Sequence, residues 1–198
     1  MPLTIEQRNE IVAEAKTWLG TPYRGWSCLK GCGVDCGQLI YGVFRNTGHV
    51  PVINNLPKDY SLQVAQHRAS TEYVDLIAVY FREIPEAKVL PGDVVCYKLG
   101  LAFAHAGVVV TWPEHIIHAF DHGGVSGAHG INMPKFRRRS KKFYTLREAF
   151  CNSDKSENVN DAQCAHFEKP APTQVKDGWV SGFLKSIRGI LSSNEKEL

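Results

Sequence analysis

The chain has 198 residues, of which 43% are hydrophobic and 22% charged, enough for one sizeable core. Its formal charge of +3 is too weak to imply nucleic acid as a partner by itself, and no stretch approaches the roughly 18 apolar residues of a membrane span. The N-terminal stretch carries Glu6, Arg8, Glu10, Glu14 and Lys16 with no uninterrupted apolar run, so no secretory signal is expected.

Apolar residues at Ile5, Ile11, Val12, Ala15, Trp18 and Leu19 recur at three- and four-residue spacing and predict an amphipathic helix. Thr4 with Gln7 resembles its capping box, and Gly20 and Pro22 stop it. The segment "TPYRGWSCLKGCGV" is a glycine-punctuated loop. After it, "DCGQLIYGVFRNTG" reads as a helix with Asp35 as N-cap and Gly48 as its end. A further helix is expected within "STEYVDLIAVYFREI", where Val74, Ile77, Ala78 and Phe81 share a face.

From Pro91 the pattern changes. The runs "GDVVCYKL", "AHAGVVVTW" and "HIIHAF" are short and β-branched or aromatic, and "FYTLREAF" supplies one more strand candidate. Helices first and strands second, joined by hairpin-length connections, indicate an α+β fold with an antiparallel sheet. The glycine-rich "DHGGVSGAHG" lacks the ending of a phosphate loop and is expected to be a loop bordering a cleft.

The composition shifts after Phe150. Residues 1–150 form the expected main domain, 151–176 a polar, proline-bearing linker, and 177–198 an amphipathic segment. Trp179, Phe183, Ile187 and Ile190 line one face of that segment, which either folds back on its own domain or docks on a partner or a membrane surface.

The six cysteines are not spread like a disulfide framework. Three crowd into "CLKGCGVDC", and Cys96, Cys151 and Cys164 stand apart. Free thiols are expected, with Cys28 and Cys32 as loop thiols that could pair with each other. A zinc or iron–sulfur site would need a fourth ligand and shorter spacing, so no metal is expected. The basic run "KFRRRSKK" is either a solvated surface or an attraction for a polyanion.

Cys36 opens a predicted helix. At an ordinary thiol pKa only roughly 3% would be ionised at neutral pH, so a cysteine nucleophile needs help from a helix N-terminus and an imidazole. Among eight histidines, His105 opens "HAGVVV" and His118 lies in "HIIHAF". If those runs form a hairpin, their separation of 13 places both side chains near one end, one as base and one orienting it.

These pieces, "GTPYRG…DCGQLIYGVFRNTG…LPGDVVCY…HAGVVV…IIHAF", resemble in order the NlpC family of papain-like cysteine peptidases, which cut bacterial peptidoglycan. The likeness runs from Ala13 to Phe120. It implies a papain-like fold with N-terminal helices packed on a small antiparallel sheet. By position it implies Cys36 as nucleophile, His105 as general base and His118 as the orienting third residue. It further implies Tyr23 as an aid to the oxyanion hole and Asp35 as the acid preceding the nucleophile. Gly37-Gln38 stands where the family commonly has Ser-Gly, and Ala106 replaces a bulkier residue; both departures fall on the substrate pocket.

The resemblance implies hydrolysis of an amide bond in the peptide stems of peptidoglycan, between D-glutamate and a diamino acid, with no cofactor. Likeness to the tail-associated branch of bacteriophages and gene-transfer particles implies a place at a virion tail tip, opening the cell wall for DNA entry. The C-terminal segment would then bind tail-tip or other assembly proteins. Two other readings stand beside this one: a structural tail-assembly protein with an unused peptidase fold, and a secreted antibacterial effector with the same chemistry.

Overall fold

The computed structural model describes residues 1–53 and 77–151. Most of the expected linker and all of the amphipathic segment, with Trp179, Phe183, Ile187 and Ile190, lie outside the described residues, as does Val74.

Helix α1 spans Ile5–Thr17 and starts on the expected capping box. The Gln7 amide donates to Thr4 Oγ1 at 3.2 Å, and the Thr4 amide donates to Gln7 Oε1 at 2.9 Å. The helix buries Ile11 and Ala15, and its C-cap Trp18 is buried too, whereas Ile5 is exposed. Arg8 ties the outer side of α1 to the sheet. Its Nη1 donates to Asp93 Oδ1 at 2.9 Å and to the Pro91 carbonyl at 2.8 Å, and Asp93 is buried.

Two short strands follow, β1 (Cys28–Leu29) and β2 (Gly33–Val34), paired as a small hairpin before the second helix. Helix α2 spans Cys36–Asn46 and buries Leu39, Ile40, Val43 and Phe44. It ends through Thr47 and Gly48, whose φ of 78° suits a residue without a Cβ. The helices meet at Gly42, where a Cβ would lie 2.6 Å from the Trp18 ring. Only a glycine allows that approach.

Six strands complete the fold: β3 (Phe81–Ile84), β4 (Val94–Leu99), β5 (Ala102–Thr111), β6 (His115–Phe120), β7 (Gly124–Ala128) and β8 (Lys141–Leu146). They form one sheet in the order β3-β8-β4-β5-β6-β7, every pair antiparallel. The architecture is α+β, with the N-terminal helices on an antiparallel sheet, as expected. Among the described residues no helix is long and apolar enough to cross a membrane.

Side chains alternate across the strands and so build two cores. Val94, Cys96, Ala106, Val108, Ile117 and Ala119 face the helices and pack with Leu39, Val43 and Phe44. Val95, Tyr97, Val109, Ile116 and Phe143 belong to a second cluster that Phe136 joins from the β7–β8 connection.

Three expectations need correction. Phe81 is not helical: the chain is helical over 77–80 and then turns into β3, whose pairing with β8 offsets the helical spacing. The glycine-rich run after Phe120 is not all loop, because Gly124–Ala128 pairs with β6 as β7. Its backbone also bonds to the segment before Tyr23, with the Val125 amide donating to the Thr21 carbonyl at 2.8 Å. Finally, Cys28 keeps its thiol while Cys32 is disulfide-bonded, so the two do not pair and the cysteines are not all thiols.

Candidate active site

Cys36 is the first residue of α2, placed there by the cap before it. Asp35 is buried, and its carboxylate accepts from three backbone amides: Gly37 at 3.0 Å, Gln38 at 2.9 Å and Trp26 at 2.8 Å. This ties the loop before the helix to the helix start. A carboxylate with three amide donors is held in its ionised form. The same carboxylate leaves Cys36 directly after it, at the N-terminal end of α2.

The Cys36 thiol reaches the sheet at β5, donating to the Ala104 carbonyl at 3.8 Å. The next residue is His105. Its Nε2 lies 3.1 Å from His118 Nδ1, and both rings are buried. The register explains this contact: His118 is opposite Gly107, so His105 lies two residues along the same face. A Cβ at Gly107 would come 3.2 Å from the His118 Cβ, so the missing side chain leaves space for the pair.

The structure thus joins His105 to His118 and brings Cys36 to the residue before His105. The thiol's hydrogen bond goes to the Ala104 carbonyl and that of His105 goes to His118.

Burial lowers both imidazoles. His118 is pushed down to about 4. His105 falls well below its ordinary value, first through burial, then through the neighbouring His118 and Lys135. At neutral pH both rings are uncharged and share one hydrogen bond. His105 Nδ1 is an acceptor only when its Nε2 holds the proton and donates to His118 Nδ1. The His118 proton then sits on Nε2, which is buried and has no hydrogen-bond partner among the described residues.

Tyr23 is held beside β2 by a bridge to Val34. Its phenol is raised by burial first, then by the neighbouring Cys36, Asp35 and Asp121, so it stays a hydrogen-bond donor over the working range. Cys96 is fully buried in β4, and burial raises its thiol far above the ordinary value. A thiol so buried is unreactive.

The walls of the histidine pair were not anticipated. The His105 ring stacks on Phe136 at a centroid distance of 5.1 Å and 27°. It also meets Phe120 at 5.1 Å and Tyr97 at 6.2 Å. Strand alternation puts Tyr97, His105, His118 and Phe120 on one face, a signal present in the sequence. Phe136, inside a basic loop, gives no such signal. Among the described residues no cluster of three or more His, Cys, Asp or Glu could hold a metal ion.

No protein-family model matches the sequence, and no curated protein does. Solved structures of similar shape include the NlpC/p60 domain of the peptidoglycan hydrolase SagA, 19% identical, with a TM-score of 0.45 over 71% of this chain and 98% of that one. A lipoprotein-like NLP/p60 family protein from Staphylococcus aureus is 20% identical, with a TM-score of 0.49 over 72% of this chain and 42% of that one. The peptidoglycan hydrolase RipB from Mycobacterium tuberculosis is 19% identical, with a TM-score of 0.43 over 71% of this chain and 64% of that one. The chain therefore spans nearly all of the first and less than two thirds of the other two.

Proposed function

We propose that the protein is a cysteine peptidase of the NlpC type that hydrolyses an amide bond in the peptide stem of bacterial peptidoglycan. One observation carries the reading: a thiol on the first residue of a helix meets β5 one residue before a buried histidine that is itself bonded to a second. The order of motifs in the sequence supports the substrate class, and the same resemblance supports the D-glutamyl–diamino acid bond.

Catalysis begins when the thiol leaves the Ala104 carbonyl for His105 Nδ1. As Sγ attacks the substrate carbonyl, its proton passes to that nitrogen and the charge on His105 is steadied through His118. The oxyanion receives a hydrogen bond from the Tyr23 hydroxyl, which burial keeps protonated. Collapse of the intermediate breaks the C–N bond, with His105 returning the proton to the leaving amine. Water then attacks the thioester, giving its proton to His105, and the free acid and thiol are released.

Delivery belongs to the same reading: a place at a phage tail tip, acting on the cell wall for genome entry, with assembly contacts through residues 177–198. This part rests on sequence resemblance alone. Purified sacculi incubated with the protein, followed by mass spectrometry of the released material, test the reaction. Fragments with a new amino and a new carboxyl terminus inside the stem are expected. Intact stems, or cleavage confined to the glycan, would refute it. Neighbouring tail genes would favour the virion setting, and a neighbouring immunity protein the effector setting.

A further inference from the structure

Phe136 lies in the connection between β7 and β8, flanked by exposed Lys135, Arg137, Arg138 and Arg139. Its own side chain is fully buried. A phenylalanine inside a run of exposed cations is drawn inward by what it covers, and here it covers the histidine pair. Its ring lies parallel to Tyr97 at 4.1 Å and 14°, and nearly parallel to His105 at 5.1 Å and 27°. It meets His118 edge-on at 5.2 Å. No other residue among those described makes a ring contact with both histidines and with Tyr97.

The connection itself is fastened at both sides of Phe136. The Phe136 and Arg137 amides donate to the Met133 carbonyl, each at 2.9 Å. Tyr97 donates from its hydroxyl to the Gly130 carbonyl at 2.9 Å, which fixes the ring that Phe136 stacks on. The stack is therefore a built wall rather than a loose filling.

Resting on the peptidase reading above, we propose that Phe136 is a positioning residue for His105. Its ring closes an aromatic chamber with Tyr97 and Phe120 that fixes the imidazole plane and keeps water from the His105–His118 bond. An imidazole bonded through one nitrogen can still swing about that bond; a parallel ring against its face stops the swing and aims Nδ1. Water admitted beside His118 would supply a partner for its buried Nε2 and solvate the charged form, shifting the proton away from the arrangement that makes His105 a base.

The charged and titratable groups around the pair come from several elements. Lys135 sits over the Phe120 ring at 3.8 Å and pairs with Asp121 at 3.8 Å. Lys141 of β8 lies 5.9 Å from the Tyr97 ring. Tyr97 itself stays protonated through burial. None of these is altered by a substitution at position 136, so a changed histidine titration reports the lost wall.

The test is nitrogen-detected NMR of the histidine rings of the full chain over pH 4 to 8, in the wild type, Phe136→Leu and Phe143→Leu. Phe143 belongs to the same core cluster but contacts Trp112 at 4.9 Å rather than the histidines, so it controls for general loosening. Phe136→Leu is expected to raise the midpoint of the pair by about one pH unit or more and to broaden or lose the proton shared by His105 and His118. Phe143→Leu is expected to leave both as they are. On stem peptides Phe136→Leu should lower kcat by about tenfold with KM little changed.

If Phe136→Leu does not fold, Phe136→Met, closer in volume, takes its place with the same expectation. Unchanged titration in the folded variant, or an equal shift in Phe143→Leu, would overturn the positioning role. A wild type without turnover on stem peptides would instead overturn the peptidase reading, since the ring titration needs no substrate.

Discussion

The two faces of the six-stranded sheet are built from the same strands and do different things. The face toward α1 and α2 is an aliphatic core that holds the helices, with Val108, Ile117 and Ala119 against Leu39, Val43 and Phe44. The opposite face carries the buried polar pair His105 and His118, walled by Tyr97, Phe120 and Phe136. One face holds the helices, and the other keeps two imidazoles buried and uncharged near neutral pH. Cys36 stands between them, on a helix of the first face and in contact with the strand that carries the second.

The sharpest way to separate the faces is at the thiol. Cys36→Ala removes a partly exposed side chain and should leave the fold unchanged while lowering turnover on stem peptides by about a thousandfold or more. Circular dichroism with a kinetic assay checks both halves. A large loss of stability would place Cys36 in the helix-side core instead.

Phe44→Ala attacks the helix side alone. Phe44 is fully buried and meets Phe81 edge-on at 4.8 Å. The expected cost is about 3–5 kcal/mol in urea unfolding, with the histidine titration of the surviving folded protein unmoved.

The histidine side answers to pH. Between about 6.5 and about 4 the unfolded chain binds protons that the folded pair, lowered by burial, refuses. Stability is therefore complete above the unfolded value and falls as pH drops through this window, by on the order of 3 kcal/mol for His118. His118→Leu should flatten that part of the profile. A slope that persists unchanged would assign it to other groups.

Asp35→Ala touches the joint between the faces. Losing an acceptor shared by Trp26, Gly37 and Gln38 should cost about 2 kcal/mol. Cys36 should then react less uniformly, as its helix start frays. The smallest expected effect is Tyr23→Phe, about a tenfold loss in kcat with stability nearly intact.

The helix-side face was readable because helical spacing and period-2 alternation announce it. The Thr4 and Asp35 caps, the two helices, and strands β4, β5 and β6 all follow from such patterns. The contact of His105 with His118 was also readable, since hairpin geometry converts their separation into proximity. Three things were not. Phe81 fitted a helical face, and only its pairing with β8 makes it a strand residue. Glycines hid β7, because long-range pairing supplies what local propensity does not. Phe136 was hidden inside a basic run, where charge describes the surface and says nothing of the one side chain that turns inward.

The rate of Cys36 alkylation against pH, in the wild type and in His105→Ala, bears most directly on whether these residues act together. Brief iodoacetamide treatment and mass mapping give the rate at each cysteine, with buried Cys96 as the internal reference. Cooperation between the thiol and His105 predicts that Cys36 reacts well ahead of Cys96 near neutral pH, and that His105→Ala slows it by about tenfold or more. Equal Cys36 rates with and without His105 would contradict it, leaving a thiol that lies beside the histidine and draws nothing from it.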